Sequence, residues 1–178
     1  MPARMAMQTT SSANVRPLVR EQLLAEAAGF IRKACTLPGV CRIALLGSIL
    51  TEKVDPKDVD LLVTIDDVAD LAQLAVLARR LQGRLQSAGR SADVFLADAG
   101  GEYLGRTCPW KECRPGIRVA CDADHCGRRP HLHDDLGVIR LPPELTAAPP
   151  LELWPKIVRR TKVPADVERL LSELQDAA

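Results

Sequence analysis

Aromatic residues are scarce: two Phe, one Tyr and two Trp make up 3% of the 178 residues. Five scattered rings, Phe30, Phe95, Tyr103, Trp110 and Trp154, cannot build a base-stacking platform. An excess of one charge sign is also missing. With 24 Lys+Arg against 23 Asp+Glu the net charge is +1, so there is no global positive field to coat nucleic acid. Uncharged apolar runs stop well short of the roughly 20 residues that a membrane span needs, so no membrane partner is expected. The first twenty residues hold three arginines but no apolar stretch of the secretory kind, so a cytoplasmic, reducing location is expected. No internal repeat is visible.

What is present is ordinary for a globular chain: 47% hydrophobic and 26% charged residues. A chain of this size buries roughly 70% of its unfolded surface, so it can fold without disulfides. The one unusual count is six cysteines, four of them crowded between positions 108 and 126.

Periodicity divides the chain. Residues 1–14 read as a disordered leader. Leu18, Leu23, Leu24, Ala27, Phe30 and Ile31 recur at helical steps, so a helix is expected over 15–34. Pro38-Gly39 breaks it. Apolar, branched runs predict strands over 40–46, 59–65 and 92–97. Between the last two, leucines at 71, 74, 77, 81 and 85 predict a helix over about 68–88, capped by Asp66-Asp67 and closed by Gly89. This gives a core over 15–101. A Cys/His-rich segment over 102–141 follows. Residues 142–178 read as a Pro-rich linker and a closing helix over 163–174. The order α-β-β-α-β over the first hundred residues makes the expected fold class α+β.

Within the core, Gly47-Ser48 ends the first strand and Asp58-Val59-Asp60 opens the second. Alternation puts Asp58 and Asp60 on one face of that strand. Like charges there repel unless a cation lies between them, and hard oxygen ligands of this kind suit Mg²⁺. Asp93 opens the third strand and can add a third carboxylate. Two metals so held clamp the entering and leaving oxygens of a phosphoryl displacement. Gly47 lets a phosphate approach the backbone, while Ser48 offers a hydroxyl at a helix start.

This ordered set, Leu46-Gly47-Ser48, Asp58-Val59-Asp60-Leu61 and Ala92-Asp93-Val94, resembles the DNA polymerase β-like nucleotidyltransferase superfamily. The likeness covers about residues 15–98. It implies that superfamily's fold, a small mixed sheet flanked by helices, and transfer of a nucleoside monophosphate from an NTP, such as ATP, with release of pyrophosphate. It implies that Ser48 binds the triphosphate, that Asp58 and Asp60 bind Mg²⁺, and that Asp93 shares a metal and helps deprotonate the acceptor hydroxyl. Thr51 stands where small members often carry an Arg, and Lys57 where they often carry a Ser; Lys53 and Lys57 are the cations expected to substitute. The acceptor is not specified: a small molecule, an RNA end and a protein side chain are all open.

The second constellation is Cys108-x4-Cys113-x7-Cys121-x4-Cys126. Four thiolates suit a tetrahedral structural Zn²⁺, and the segment has too few apolar residues for a core of its own. His125, His131 and His133 are alternate ligands, and two disulfides or buried thiols are the competing readings. Cys35 and Cys41, which stand apart, read as buried thiols. Residues 105–131 carry six basic against three acidic side chains, either a clamp for a polyanion or a solvated surface. Lys156, Arg159, Arg160 and Lys162 read as one exposed helix face. Two other functions fit the same residues: a catalytically inactive, antitoxin-like protein with a protein partner, and a zinc-dependent nucleic-acid-binding module.

Overall fold

A computed structural model describes residues 15–109, 129–133 and 139–176. The described chain is mixed α+β: four helices and a seven-stranded mixed sheet. The first helix, α1, spans Val15–Ala34, and Pro38 and Gly39 turn the chain into β1, Val40–Leu46. A single 3-10 turn over Ser48–Leu50 follows, then β2, Asp58–Ile65. Helix α2, Leu71–Gln86, crosses over to β3, Ser91–Asp98, which pairs parallel to β2. Parallel neighbours need such a crossover, and the leucine period of α2 supplies a helix with one apolar face. Leu71, Leu74, Ala75, Ala78, Leu81 and Leu85 of that face are buried.

Helix α2 starts later than its sequence suggests. Asp70, not Asp66-Asp67, is the N-cap, accepting from the Ala72 N–H, while the Asp66 side chain accepts from Val68 N–H in the preceding turn. Gly89 closes the helix as expected. It adopts φ +67°, and Arg90 N–H reaches back to the Leu85 carbonyl, satisfying a carbonyl of the last turn.

The segment after Gly101 contributes more strands than its sequence shows. Tyr103–Thr107 forms β4 and Leu132–His133 forms β5; both add antiparallel on the β3 side. The stretch that reads as a linker holds a short helix α3, Pro143–Ala147, and a hairpin of β6, Leu151–Trp154, and β7, Val158–Arg159. Strand β6 pairs with β1, so the sheet order is β5-β4-β3-β2-β1-β6-β7. The basic run from Lys156 to Lys162 therefore lies in and after this hairpin rather than on a helix, with Arg159 paired to Glu168 and Arg160 to Glu152. The closing helix α4 spans Ala165–Asp176.

Helices α1, α2 and α4 share one face of the sheet. Their apolar side chains meet Val59, Leu61, Val63 and Ile65 of β2 and their neighbours in the main core. The opposite face carries a smaller cluster, Ala44, Leu46, Leu62, Phe95, Ala97 and Tyr103, packed by Ile139, Leu141 and Leu145. Cys35 packs partly buried against the main core, whereas Cys41, beside a register shift in β1, is exposed. Among the described residues no helix is long and apolar enough to cross a membrane.

Candidate functional site

Asp58, Asp60 and Asp93 come together at one end of the sheet. Asp60 pairs across β1–β2 with Leu46, and across β2–β3 with Asp93. Neighbouring strands lie about 4.8 Å apart, so register partners on one face bring their side chains close. Asp58 stands one pleat nearer the start of β2, level with Ser91. Period-two alternation puts Asp58, Asp60 and Leu62 on the face opposite the helices, as the burial of Val59 and Leu61 in the main core requires.

Gly47 explains how Asp60 fits. Its φ is +78°, and a Cβ there would lie 2.4 Å from Asp60 Oδ2. The carboxylate rests against bare backbone, in a place and at a dihedral that only glycine tolerates. Ser48 then opens the 3-10 turn, anchored by the buried side chains of Ile49 and Leu50. Ser48 itself is half-buried at the same end of the sheet.

The electrostatics of Asp60 follow from this packing. Burial, then the neighbouring charges of Asp58 and Asp93, push its carboxyl up from the ordinary 3.8 to about 7. Asp93 has a partner: Arg106 of β4 donates to its Oδ1 at 2.7 Å. Among the described residues no three Cys, His, Asp or Glu side chains surround a single point that a metal ion could take. Asp58 and Asp60 stand two apart on β2, and Asp93 stands level with Asp60 on β3.

Lys57 is exposed, with its ammonium 3.9 Å from Asp55, and Lys53 is exposed in the loop before β2. The loop is braced instead by arginines that sequence reasoning does not single out. Arg90 pairs with Asp55 at 2.8 Å and donates to the Pro56 carbonyl at 3.3 Å, fixing the approach to Asp58. Arg20, on α1, donates to carbonyls of residues 49–53. An isolated arginine, on a helix like Arg20 or between a helix and a strand like Arg90, carries no sequence signal for either role.

Of the second constellation, Cys113, Cys121, Cys126 and His125 lie outside the described residues. The rest gather at the β4–β5 end of the sheet. Cys108 is buried, and its N–H donates to the His131 carbonyl at 2.8 Å. His131 has φ +64°, a left-handed backbone at a non-glycine residue. Burial, and then the Arg79 charge, hold its imidazole below its ordinary range, partly opposed by Asp70. His133 pairs in register with Arg106. With Cys108, Arg79, Arg106 and Asp93 it lines a cleft of about 90 Å³. The Cys/His strands thus extend the sheet that carries the aspartates, and Arg106 stands between the two groups. Comparison with known protein families, characterised proteins and solved structures gives no match.

Proposed function

We propose that this chain is a nucleotidyltransferase of the DNA polymerase β-like type, with that superfamily's fold, acting on an NTP and a hydroxyl acceptor. The observation that carries the reading is the crowding of Asp58, Asp60 and Asp93 beside the Gly47-Ser48 turn. A carboxyl raised to about 7 by burial and then by the like charges of Asp58 and Asp93 is relieved by a divalent cation, and an all-oxygen donor set fits Mg²⁺. Bound there, two Mg²⁺ ions supply charge neutralisation at the transferring phosphoryl group and acidify the attacking hydroxyl.

The residues of the chain do the rest. The acceptor oxygen forms a bond to the α-phosphorus as the bond to the bridging oxygen of pyrophosphate breaks. Asp93 takes the acceptor's proton, and Ser48 with the bare Gly47 backbone holds the triphosphate. Asp58 and Asp60 would hold the Mg²⁺ ions, whose chemistry there is charge neutralisation. Because Asp60 must lose its proton before it binds a cation, metal affinity rises with pH up to about 7.

We assign to the Cys/His strands one structural Zn²⁺, with Cys108 as a ligand beside the thiols of Cys113, Cys121 and Cys126 or an imidazole of His125, His131 or His133. Thiolate and imidazole donors suit zinc. A second reading, a catalytically silent protein that binds a partner, is favoured by the ion pair that neutralises Asp93 and by the turn of Lys57 toward Asp55. Incubation with Mg²⁺, labelled NTPs and a panel of acceptors decides between them. Labelled transfer product, lost in Asp60→Ala, supports the enzyme. Tight co-purification of a protein with no turnover supports the silent reading.

A further inference from the structure

The side chain of Arg20 is 10% exposed, and the whole of its guanidinium is engaged. Nη1 donates to the carbonyls of Thr51 at 3.3 Å and Lys53 at 2.7 Å. Nη2 donates to the Ile49 carbonyl at 2.9 Å and to Asp166 Oδ1 at 3.1 Å, and Nε donates to Asp166 Oδ2. All five N–H donors that an arginine owns are used here. Arg20 therefore has none left for a ligand, and any effect it has on one must pass through what it holds.

What it holds is the loop that leaves Ser48 and leads to Asp58. Three carbonyls in five residues turn toward one cation. The cis bond of the described chain is at Trp154-Pro155, so the peptides of this loop are trans. In a planar trans peptide the N–H points opposite to the carbonyl. The carbonyls of Thr51 and Lys53 face inward, so the N–H groups of Glu52 and Val54 face away from Arg20. Both residues are exposed. The carbonyl of Ser48 accepts from Thr51 N–H at 3.1 Å and from Thr51 Oγ1 at 2.8 Å, so the Ser48 turn is tied to the same braced loop. Asp166 carries the brace further. Its carboxylate also accepts from Val167 N–H at the start of α4. Three distant segments, α1, the post-serine loop and α4, thus meet at one guanidinium.

We infer that Arg20 is a positioning residue for the nucleotide's phosphate chain: it turns the loop carbonyls inward so that Ser48 and the outward amides of Glu52 and Val54 are presented to an anion. The inference rests on the nucleotidyltransferase reading.

A buried ion pair replaced by well-packed apolar residues often keeps its fold, so fold and positioning can be separated. The test compares the full chain with the double variant Arg20→Met/Asp166→Leu. Mn²⁺ affinity without nucleotide reads the aspartates, which the variant leaves in place, and is expected to change less than about twofold. Affinity for inorganic tripolyphosphate and for ATP with Mg²⁺ is expected to fall by about tenfold or more, because the loop loses its three anchors. Unchanged phosphate-chain affinity in a folded double variant overturns the role of Arg20. Should the double variant not fold, amide hydrogen exchange of the unaltered protein decides: tripolyphosphate is expected to slow exchange at Glu52 and Val54, and unslowed exchange overturns the inference. Absence of any phosphate-chain binding by the unaltered protein, with Mn²⁺ binding intact, overturns the nucleotidyltransferase reading itself.

Discussion

The charge on Asp60 should make the metal-free protein less stable as pH rises, and Asp60→Asn should remove that loss. The sign follows from linkage. The folded carboxyl titrates at about 7 and an ordinary one at 3.8. The protonated form is favoured in the fold, so its contribution is complete below about pH 4 and disappears as pH rises through about 7. Raising a carboxyl that far corresponds to about 4 kcal/mol, and solvent screening at the open end of the site reduces this to roughly 2 kcal/mol. For a domain of this size that is about 4–8 °C in Tm. Thermal melts in EDTA at pH 4.5, 6 and 8 measure it. Wild type and Asp60→Asn should differ little at the lowest pH, with the variant gaining its full advantage by pH 8. Added Mg²⁺ at pH 8 should raise the Tm of the wild type and leave the variant nearly unmoved. A variant less stable than wild type at pH 8 without divalent cations, or a difference that ignores pH, would refute the reasoning.

Three further outcomes are expected. Gly47→Ala meets both a left-handed φ and the Asp60 carboxylate, so it should cost about 2 kcal/mol in urea unfolding; a neutral result would show that the turn relaxes. Asp166→Asn breaks a buried ion pair and should cost about 3 kcal/mol at pH 7. Arg20 holds the Asp166 carboxyl below its ordinary range despite burial, so that contribution is present above the ordinary carboxylate range and lost as pH falls through the depressed value. The Asp166→Asn penalty should therefore shrink in acid, and an equal penalty at pH 7 and pH 2.5 would contradict the pairing. Elemental analysis of purified protein should find about one Zn²⁺ per chain, reduced by Cys108→Ser; a folded protein without zinc would remove the metal from the account.

The elements that the sequence displays well are those long enough to repeat a pattern. Helix α2 shows five leucines in step, and β2 carries DLLVTI, so both stand close to their expected places. Strands β5, β6 and β7 hold two to four residues each, too few to display a period. Strand β4 is interrupted by Gly105 and a register shift opposite Leu96, which breaks its alternation. The three aspartates are legible because local spacing and strand register decide them. The Asp93–Arg106 pair is not, since the same shift in β4 sets which residue faces Asp93. The Arg20–Asp166 contact joins residues 146 positions apart, and nothing near either one announces the other. Lys53 and Lys57, expected as phosphate contacts, are both exposed in and after the same loop.

The pairing of β6 with β1 has a consequence for how the chain is made. Strands β1, β2 and β3 are in place within the first hundred residues, but β6 lies at Leu151–Trp154. Until it arrives, the Val40–Leu46 strand is an open edge of hydrophobic residues with unpaired amides and carbonyls, a template for another chain. Among the described residues the sheet ends on both sides in two-residue strands, β5 and β7, which offer little to pair with. A chain interrupted before residue 151 should therefore aggregate through β1, and the last thirty residues act as a cover for an edge that the first hundred leave exposed.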